Sequence, residues 1–273
     1  PAHLEGFGDL QTIVHEKLSI SEGLRPGGVL IINTDFEQLV NACRARGIRF
    51  TTFGQPDGSK YQVKNIRTDG SASRFTIDGK EVRLPLPGPG NVENALAAWA
   101  VCSELGLTVD DFARAVETLP PVSMRAELLH VGTLTILSDC YNANPASMKN
   151  ALKILAGLEP ADKNRLVFIC GEMAELGPQA GELHAELGAS IAEAGVKLLV
   201  AVGELAKIAG ESAKADAEYD LQMKCFTDTI SACNNLHEFI KDYDIILIKG
   251  SRTARLEMVV KKLKELFSVQ CVS

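Results

Sequence analysis

Residues 133–148 read Thr133-Leu134-Thr135-Ile136-Leu137-Ser138-Asp139-Cys140-Tyr141-Asn142-Ala143-Asn144-Pro145-Ala146-Ser147-Met148. The apolar, β-branched run Thr133–Leu137 has the character of a buried strand, and Met148 to Leu155 carries helical spacing. A carboxylate, a phenol and two amides are crowded into the step between them. In an open α/β sheet, ligands gather at the carboxyl ends of strands, where the next helix presents free N–H groups. The same residues also make a plain helix start, with Asn144 as the cap and Pro145 in the first turn. Both readings stand at this point.

Downstream the step repeats. Apolar strands near 133–138, 165–170, 197–202, 222–226 and 244–249 alternate with helical patterns. Such alternation predicts a doubly wound, mostly parallel sheet, complete between residues 123 and 273. Two further strand ends carry polar residues. Gly171-Glu172 follows Leu166–Cys170, and Lys249-Gly250-Ser251-Arg252 follows Ile245–Ile248.

Upstream the pattern differs. Pro120-Pro121 has the look of a linker, dividing the chain into residues 1–122 and 123–273. In the first part, His3 to Leu24 reads as a loop entering an amphipathic helix, with Leu10, Ile13, Val14 and Leu18 on one face. A buried strand at Val29–Ile32, a helix over Phe36–Arg46 and a second strand at Arg49–Phe53 follow. From Tyr61 to Leu86 the period becomes two, with Tyr61–Val63, Ser73–Ile77 and Val82–Leu84 as strand runs. Asp78-Gly79 between the last two is a hairpin signal. The segment Pro85 to Gly90 then delivers Asn91, which opens a helix from Val92 to Leu105, and a short helix spans Val109 to Leu119.

The 273 residues are 46% hydrophobic and 5% aromatic, enough for two buried cores. A net charge of −7 argues against nucleic acid as a standing partner, and no run of 18 apolar residues predicts a membrane span. The opening Pro1-Ala2-His3-Leu4-Glu5 lacks the pattern of a signal peptide. Seven cysteines (43, 102, 140, 170, 225, 233 and 271) form no Cys-x-x-Cys or Cys/His cluster. They read as buried thiols in a reducing compartment, hence the cytoplasm.

Five motifs then occur in order: Ala2-His3-Leu4-Glu5-Gly6-Phe7-Gly8, Asn91–Ala98, Asp139–Met148, Gly171–Gly177 and Lys249–Arg252. Together they resemble the Mur ligases of peptidoglycan synthesis, over essentially the whole chain. The resemblance implies a partial central ATPase domain followed by a complete Rossmann-like C-terminal domain. It also implies ATP-dependent amide bond formation through an acyl phosphate, with Mg²⁺ as cofactor. Tyr-Asn-Ala-Asn-Pro points within the family to the branch that adds D-Ala-D-Ala to UDP-N-acetylmuramoyl-tripeptide. No G-x-x-x-x-G-K-[ST] occurs, and Gly58-Ser59-Lys60 is only a loop. The expectation is therefore a C-terminal fragment without the UDP-binding domain and the P-loop, inactive alone.

The family's site residues carry over one by one. His3 resembles a metal-ligand histidine. Lys17, fourteen residues further on, falls where the family has a carbamylated lysine, an anion able to face a second Mg²⁺. Its Glu-Lys-Leu-Ser context departs from the family's more common Ala-Lys-Gly-Glu. Asn91 and Asn94 match residues beside adenine, although Gly90 stands where many members have His. Asn91 also reads as a helix cap. Arg125 matches the arginine that reaches the γ-phosphate, a role that suits a guanidinium. Asp139 matches an acid on the nucleotide ribose, and Asn142 and Asn144 would line the crevice where ATP meets the dipeptide. Lys249, Ser251 and Arg252 would hold the dipeptide's carboxylate. Glu172 stands where many members have Asp. His184 matches a family Leu-His pair without an evident task, and His15, His130 and His237 suggest none.

Two other readings stay open: another Mur-type or folylpolyglutamate ligase, and a nucleotide- or amino-acid-binding module without catalysis. Tyr-Asn-Ala-Asn-Pro weighs against the first and the pairing of His3 with Lys17 against the second. The missing P-loop favours the module.

Overall fold

The computed structural model describes residues 9–268, apart from Pro56, Gly70, Pro121 and residues 159–163. The described residues divide into two compact units, one ending at Pro120 and the other lying beyond it.

The first unit opens with helix α1 (Leu10–Ser19), capped by Asp9, whose carboxylate accepts the Thr12 N–H at 2.7 Å. Strands β1 (Leu30–Asn33) and β2 (Phe50–Phe53) pair in parallel, linked through helix α2 (Glu37–Ala45). Ile13, Val14 and Leu18 of α1 are buried, and Val14 and Leu18 pack with Ile32, Val40 and Cys43. An antiparallel sheet of β3 (Lys64–Asp69), β4 (Ala72–Ile77) and β5 (Lys80–Leu84) follows, then helices α3 (Pro89–Glu104) and α4 (Val109–Glu117). Phe75, Ile77, Val82 and Leu84 pack against Val92, Leu96, Trp99 and Phe112. At the β4–β5 turn both Asp78 (φ 48°) and Gly79 (φ 82°) lie in the left-handed region, as a tight hairpin of primed type requires.

Two local expectations give way here. Tyr61 makes only an isolated bridge to Phe53, and the strand begins at Lys64. Tyr61 and Val63 are both buried, and the Tyr61 hydroxyl donates to Glu104, so their alternation reflects anchoring in the core rather than a ladder. Helix α3 starts at Pro89, ahead of Asn91, because proline in a first turn loses no N–H and already has helical φ. Asn91 is consequently inside the first turn, not the cap, and its side-chain amide donates to the Pro87 carbonyl at 2.8 Å.

The second unit is a six-stranded sheet with helices on both faces. In chain order it comprises β6 (Glu127–Val131), β7 (Leu134–Ser138), α5 (Pro145–Gly157), β8 (Leu166–Gly171), α6 (Ala180–Glu193) and β9 (Leu198–Val202). Helix α7 (Glu204–Asp216), β10 (Gln222–Phe226), α8 (Thr229–Phe239), β11 (Ile245–Lys249) and α9 (Glu257–Phe267) complete it. The spatial order is β10-β9-β8-β11-β7-β6. All neighbours are parallel except β6 and β7, which form a hairpin. The sequence pattern did not announce β6, since Glu127-Leu128-Leu129-His130-Val131 does not alternate. Alternate residues of each strand serve opposite faces, as a pleated strand demands. Leu137, Phe168, Leu199 and Leu247 pack with α5, α6 and α7, and Ile136, Ile169, Val200 and Ile248 with α8 and α9.

Helices α6 and α7 approach closely at Gly188, where an added Cβ would sit 2.5 Å from the Ser212 Cβ and 2.6 Å from the Ala213 nitrogen. That nitrogen is main chain and cannot step aside. Gly188→Ala is expected to cost about 1–3 kcal/mol by overpacking, read as a lower urea midpoint at unchanged slope.

The expectation of buried thiols, drawn from cysteines most of which lie in apolar patterns, holds for four of the six described ones. Cys43, Cys140, Cys170 and Cys233 are buried, but Cys102 is half-buried and Cys225 is exposed. Cys225 lies on β10, an edge strand with one side unpaired. Cys271 lies outside the described residues. Among the described residues no helix is long and apolar enough to cross a membrane.

Candidate functional site

Five parallel strands put five carboxyl ends on one edge of the second unit. The helices that follow β8 and β11 go to opposite faces, so the loops leaving these neighbours diverge and open a crevice. Gly171 and Gly250 end the two strands side by side. A Cβ on Gly250 would come within 2.9 Å of the Gly171 Cα, so only glycine lets the two main chains lie this close.

The Asp139 and Lys249 clusters meet on this edge. Lys249 has a side chain only 2% exposed, and its ammonium donates to Asp139 Oδ2 at 2.6 Å. The Asn142 carbonyl at 3.0 Å and the Asp139 carbonyl at 3.4 Å take the remaining donors. Here the geometry corrects the sequence reading: three protein acceptors already surround the Lys249 ammonium, so it is not presented to a ligand carboxylate. Asp139 Oδ1 accepts the Ala126 N–H at 3.1 Å. One carboxylate thus ties the β7 loop to β11 and to the segment that carries Arg125.

That segment is tightly shaped. Met124 (φ 60°) and Ala126 (φ 49°) flank Arg125 in the left-handed region, a conformation that surrounding contacts must hold in non-glycine residues. The Tyr141 N–H donates to the Met124 carbonyl at 3.2 Å, and the Glu127 carboxylate accepts the Met124 N–H at 3.0 Å. The Arg125 guanidinium lies 4.2 Å from the centre of the Tyr141 ring. Tyr141 is 45% exposed, so the stacked pair sits at the surface.

A cavity of about 230 Å³ is lined by Tyr141, Asn142, Asn144, Glu175, Ser251 and Arg252, together with Ala143, Ala174 and Thr253. Asn144 caps α5 in a reciprocal box: its side-chain oxygen accepts the Ser147 N–H at 2.9 Å, and the Ser147 hydroxyl accepts the Asn144 N–H at 3.0 Å. Its amide nitrogen takes no part in that box. Ser251 is buried and shares a 2.8 Å hydrogen bond with Thr253, while Arg252 pairs with Glu257 at 3.3 Å. A larger cavity of about 500 Å³ adjoins across Ser251 and Thr253, reaching Glu172, Glu204, Asp228 and Arg255. Glu172 accepts the Leu205 N–H at 3.0 Å through its side chain and the Ser251 N–H at 2.8 Å through its carbonyl.

The cysteines nearby are passengers. Burial raises the Cys140 thiol, and burial pushes Cys170 up to about 12, so neither supplies thiolate near neutrality.

His184 is fully buried on α6. Its Nε2 accepts the Met173 N–H at 2.9 Å and its Nδ1 lies 2.7 Å from the Ala180 carbonyl. Burial lowers its pKa from the ordinary value near 6.5. Below about pH 6.5 the unfolded chain binds a proton there that the folded chain refuses, so stability falls as pH drops until the folded-state pKa is passed. Urea midpoints at pH 7.5 and 5.5 are expected to differ in the native chain and to converge in His184→Gln.

In the first unit, Asn91 and Asn94 occupy the opening turns of α3, half-buried and exposed respectively. Lys17 is exposed in the last turn of α1, and His3 lies outside the described residues. Among the described residues no three His, Cys, Asp or Glu side chains converge to hold a metal ion. A lysine ammonium repels such an ion, so Lys17 would face Mg²⁺ only as the carbamate that the family resemblance implies.

Sequence reasoning missed the Arg125–Tyr141 stack, the Glu175 wall and the part played by His184. The ring partners are far apart in sequence, and only the glycine-flanked loop Gly171–Gly177 gave a local signal.

Residues 1–102 match the Mur ligase middle domain and residues 124–252 the Mur ligase glutamate ligase domain. The chain belongs to the Mur ligase family. A curated family relative, UDP-N-acetylmuramoyl-tripeptide–D-alanyl-D-alanine ligase of Bacillus subtilis, is 33% identical over 269 residues, 97% of this chain and 57% of the relative. The enzyme of the same name from Escherichia coli is 32% identical over 273 residues, 97% of this chain and 58% of the relative. Among solved Mur ligases, MurF from Acinetobacter baumannii superposes with a TM-score of 0.82 at 27% identity, covering 96% of this chain and 57% of that one. MurF from Thermotoga maritima, solved with ADP, shares the fold with a TM-score of 0.80 at 22% identity, covering 97% of this chain and 59% of that one. The chain thus spans somewhat more than half the length of the Mur ligases it matches. It combines part of a middle domain with a C-terminal domain built on a mostly parallel six-stranded sheet.

Proposed function

We propose that this chain forms the acceptor-binding part, and a share of the nucleotide-binding part, of an ATP-dependent ligase that adds D-Ala-D-Ala to UDP-N-acetylmuramoyl-tripeptide. The observation that carries the reading is the lining of the smaller cavity by Tyr141, Asn142, Ala143 and Asn144, the motif that resembles this branch of the family. Relatives bearing that enzyme's name, aligned over 97% of the chain, support it. The lining offers amide, hydroxyl and guanidinium groups with two alanine methyls, a surface suited to a small zwitterionic peptide.

In the reaction, a substrate carboxylate oxygen attacks the γ-phosphorus of ATP and ADP leaves. The dipeptide amine then attacks the acyl carbon, phosphate departs with the electrons of the acyl C–O bond, and the amine gives up a proton. Arg125 is assigned to the transferred phosphoryl group, where a guanidinium neutralises developing charge. Asn91 and Asn94 are assigned to adenine, with Asp139 and Asn142 on the sugar side of the nucleotide. Asn144, Ser251 and Arg252 orient the dipeptide. Lys249 positions Asp139 and Asn142. The reaction's setting is the cytoplasm, where ATP is supplied.

The test is a hybrid in which this chain follows the portion of the Bacillus subtilis relative that it does not span. Release of ADP and phosphate should depend on D-Ala-D-Ala and on the tripeptide nucleotide together. A reaction driven instead by a single amino acid would overturn the assignment of acceptor.

A further inference from the structure

None of the roles assigned above uses His184, yet its imidazole spans the gap from α6 to the main chain of the loop that walls the smaller cavity. A backbone N–H only donates, so the Met173 amide requires a lone pair on Nε2. A carbonyl only accepts, so Ala180 requires the proton on Nδ1. Both partners select the same neutral tautomer, and a second proton would set N–H against N–H.

The loop needs such a hold. Glu175 sits at φ 61° in the left-handed region, where surrounding structure must keep a non-glycine residue in place. Met173 and Leu176 are buried on either side, and Ala174 and Glu175 between them line the cavity with Tyr141, Asn144 and Arg252. One residue earlier, the Glu172 carbonyl takes the Ser251 N–H, so a shift at Met173 passes directly to the β11 loop.

We propose that His184 is a positioning residue of this cavity: as a neutral imidazole it holds the Met173 amide, and through it the Ala174–Glu175 wall and Ser251, in the shape that receives the acceptor. The identity of that acceptor rests on the function proposed above. Protonation of the ring releases the wall, so acceptor binding weakens in mild acid. Burial resists that proton; the Ala180 carbonyl and then Glu172, on the loop itself, favour it.

The experiment uses the whole chain labelled with ¹⁵N. A scalar coupling between the Met173 nitrogen and His184 Nε2 should be present at pH 7.5 and vanish as the ring titrates, with the amides of Ala174, Glu175 and Ser251 shifting at the same midpoint. His184→Gln, whose amide both accepts and donates, should keep the fold and abolish the titration, and His184→Asn serves as the second variant. In the hybrid ligase, KM for D-Ala-D-Ala should rise about tenfold per pH unit below that midpoint, because only the neutral fraction binds. The kcat should change far less, and the acid limb of KM should be missing in His184→Gln. No coupling, loop amides indifferent to the ring, or an acid limb that survives in His184→Gln would each overturn the proposal. A hybrid that ignores D-Ala-D-Ala would overturn the proposed function instead, and the loop amides would then decide the role of His184 alone.

Discussion

Lys249→Met is expected to cost roughly 3–5 kcal/mol of folding stability, the range for breaking a buried ion pair from one side. The side chain is 2% exposed and meets two groups of Asp139 and the Asn142 carbonyl, so its loss strands an anion whose one N–H partner among the described residues is that of Ala126. Asp139 is itself only 17% exposed, and water cannot fully take over. For a unit of this size the loss corresponds to a fall in Tm on the order of 10 °C. Asp139→Leu should destabilise in the same way, and the double variant Asp139→Leu with Lys249→Met should recover much of the loss, since paired charges buried together contribute little net. Denaturant unfolding of the four proteins measures the coupling directly. Single variants within 1 kcal/mol of the native chain would mean that the pair is not the tie described here.

Arg125→Ala in the hybrid ligase is expected to lower kcat by about 10²–10³, the usual effect of removing one group that stabilises transition-state charge. Among the described residues its guanidinium has no carboxylate partner; it rests on the Tyr141 ring. Stacking leaves the edge of the fork, with its five N–H donors, open to an anion. Tyr141→Phe should keep nearly full activity and Tyr141→Ala should lose part of it, because the ring face and not the hydroxyl supports the arginine. Melting curves should barely move for Arg125→Ala, which separates this loss from that of Lys249. An unchanged kcat would remove Arg125 from the reaction.

Much of the second unit was legible in the sequence. Ile245–Ile248 and Leu166–Cys170 are continuous apolar runs, as strands buried on both faces must be, and the polar residues after them mark the carboxyl edge. Asn144-Pro145 announced the start of α5. Other features were not local. Strand β6 is held by its pairing with β7 rather than by its own pattern, and α3 begins at Pro89 because proline chemistry outran the asparagine signal. The site's charges were harder still. Lys249 and Asp139 stand 110 residues apart, and nothing near either one reveals that each is the other's partner. Lysine after a strand reads as a ligand group until the distance is known.

The place of β11 in the sheet has a consequence for synthesis. This strand, fourth in line from β10, lies between β7 and β8 and is the last strand made. Until it emerges, β6–β7 and β8–β9–β10 are separate pieces, each with an unpaired inner edge. At ordinary translation speeds the 110 residues from Asp139 to Lys249 take about 5–20 s to appear. The β7 edge waits throughout that interval and the β8 edge joins it once β8 is made, so the nascent chain displays two unpaired edges until β11 arrives, the condition under which misassembly competes with folding. Ribosome-bound chains arrested before Ile245 should accordingly bind holdase chaperones, and those arrested well beyond Phe267 should release them.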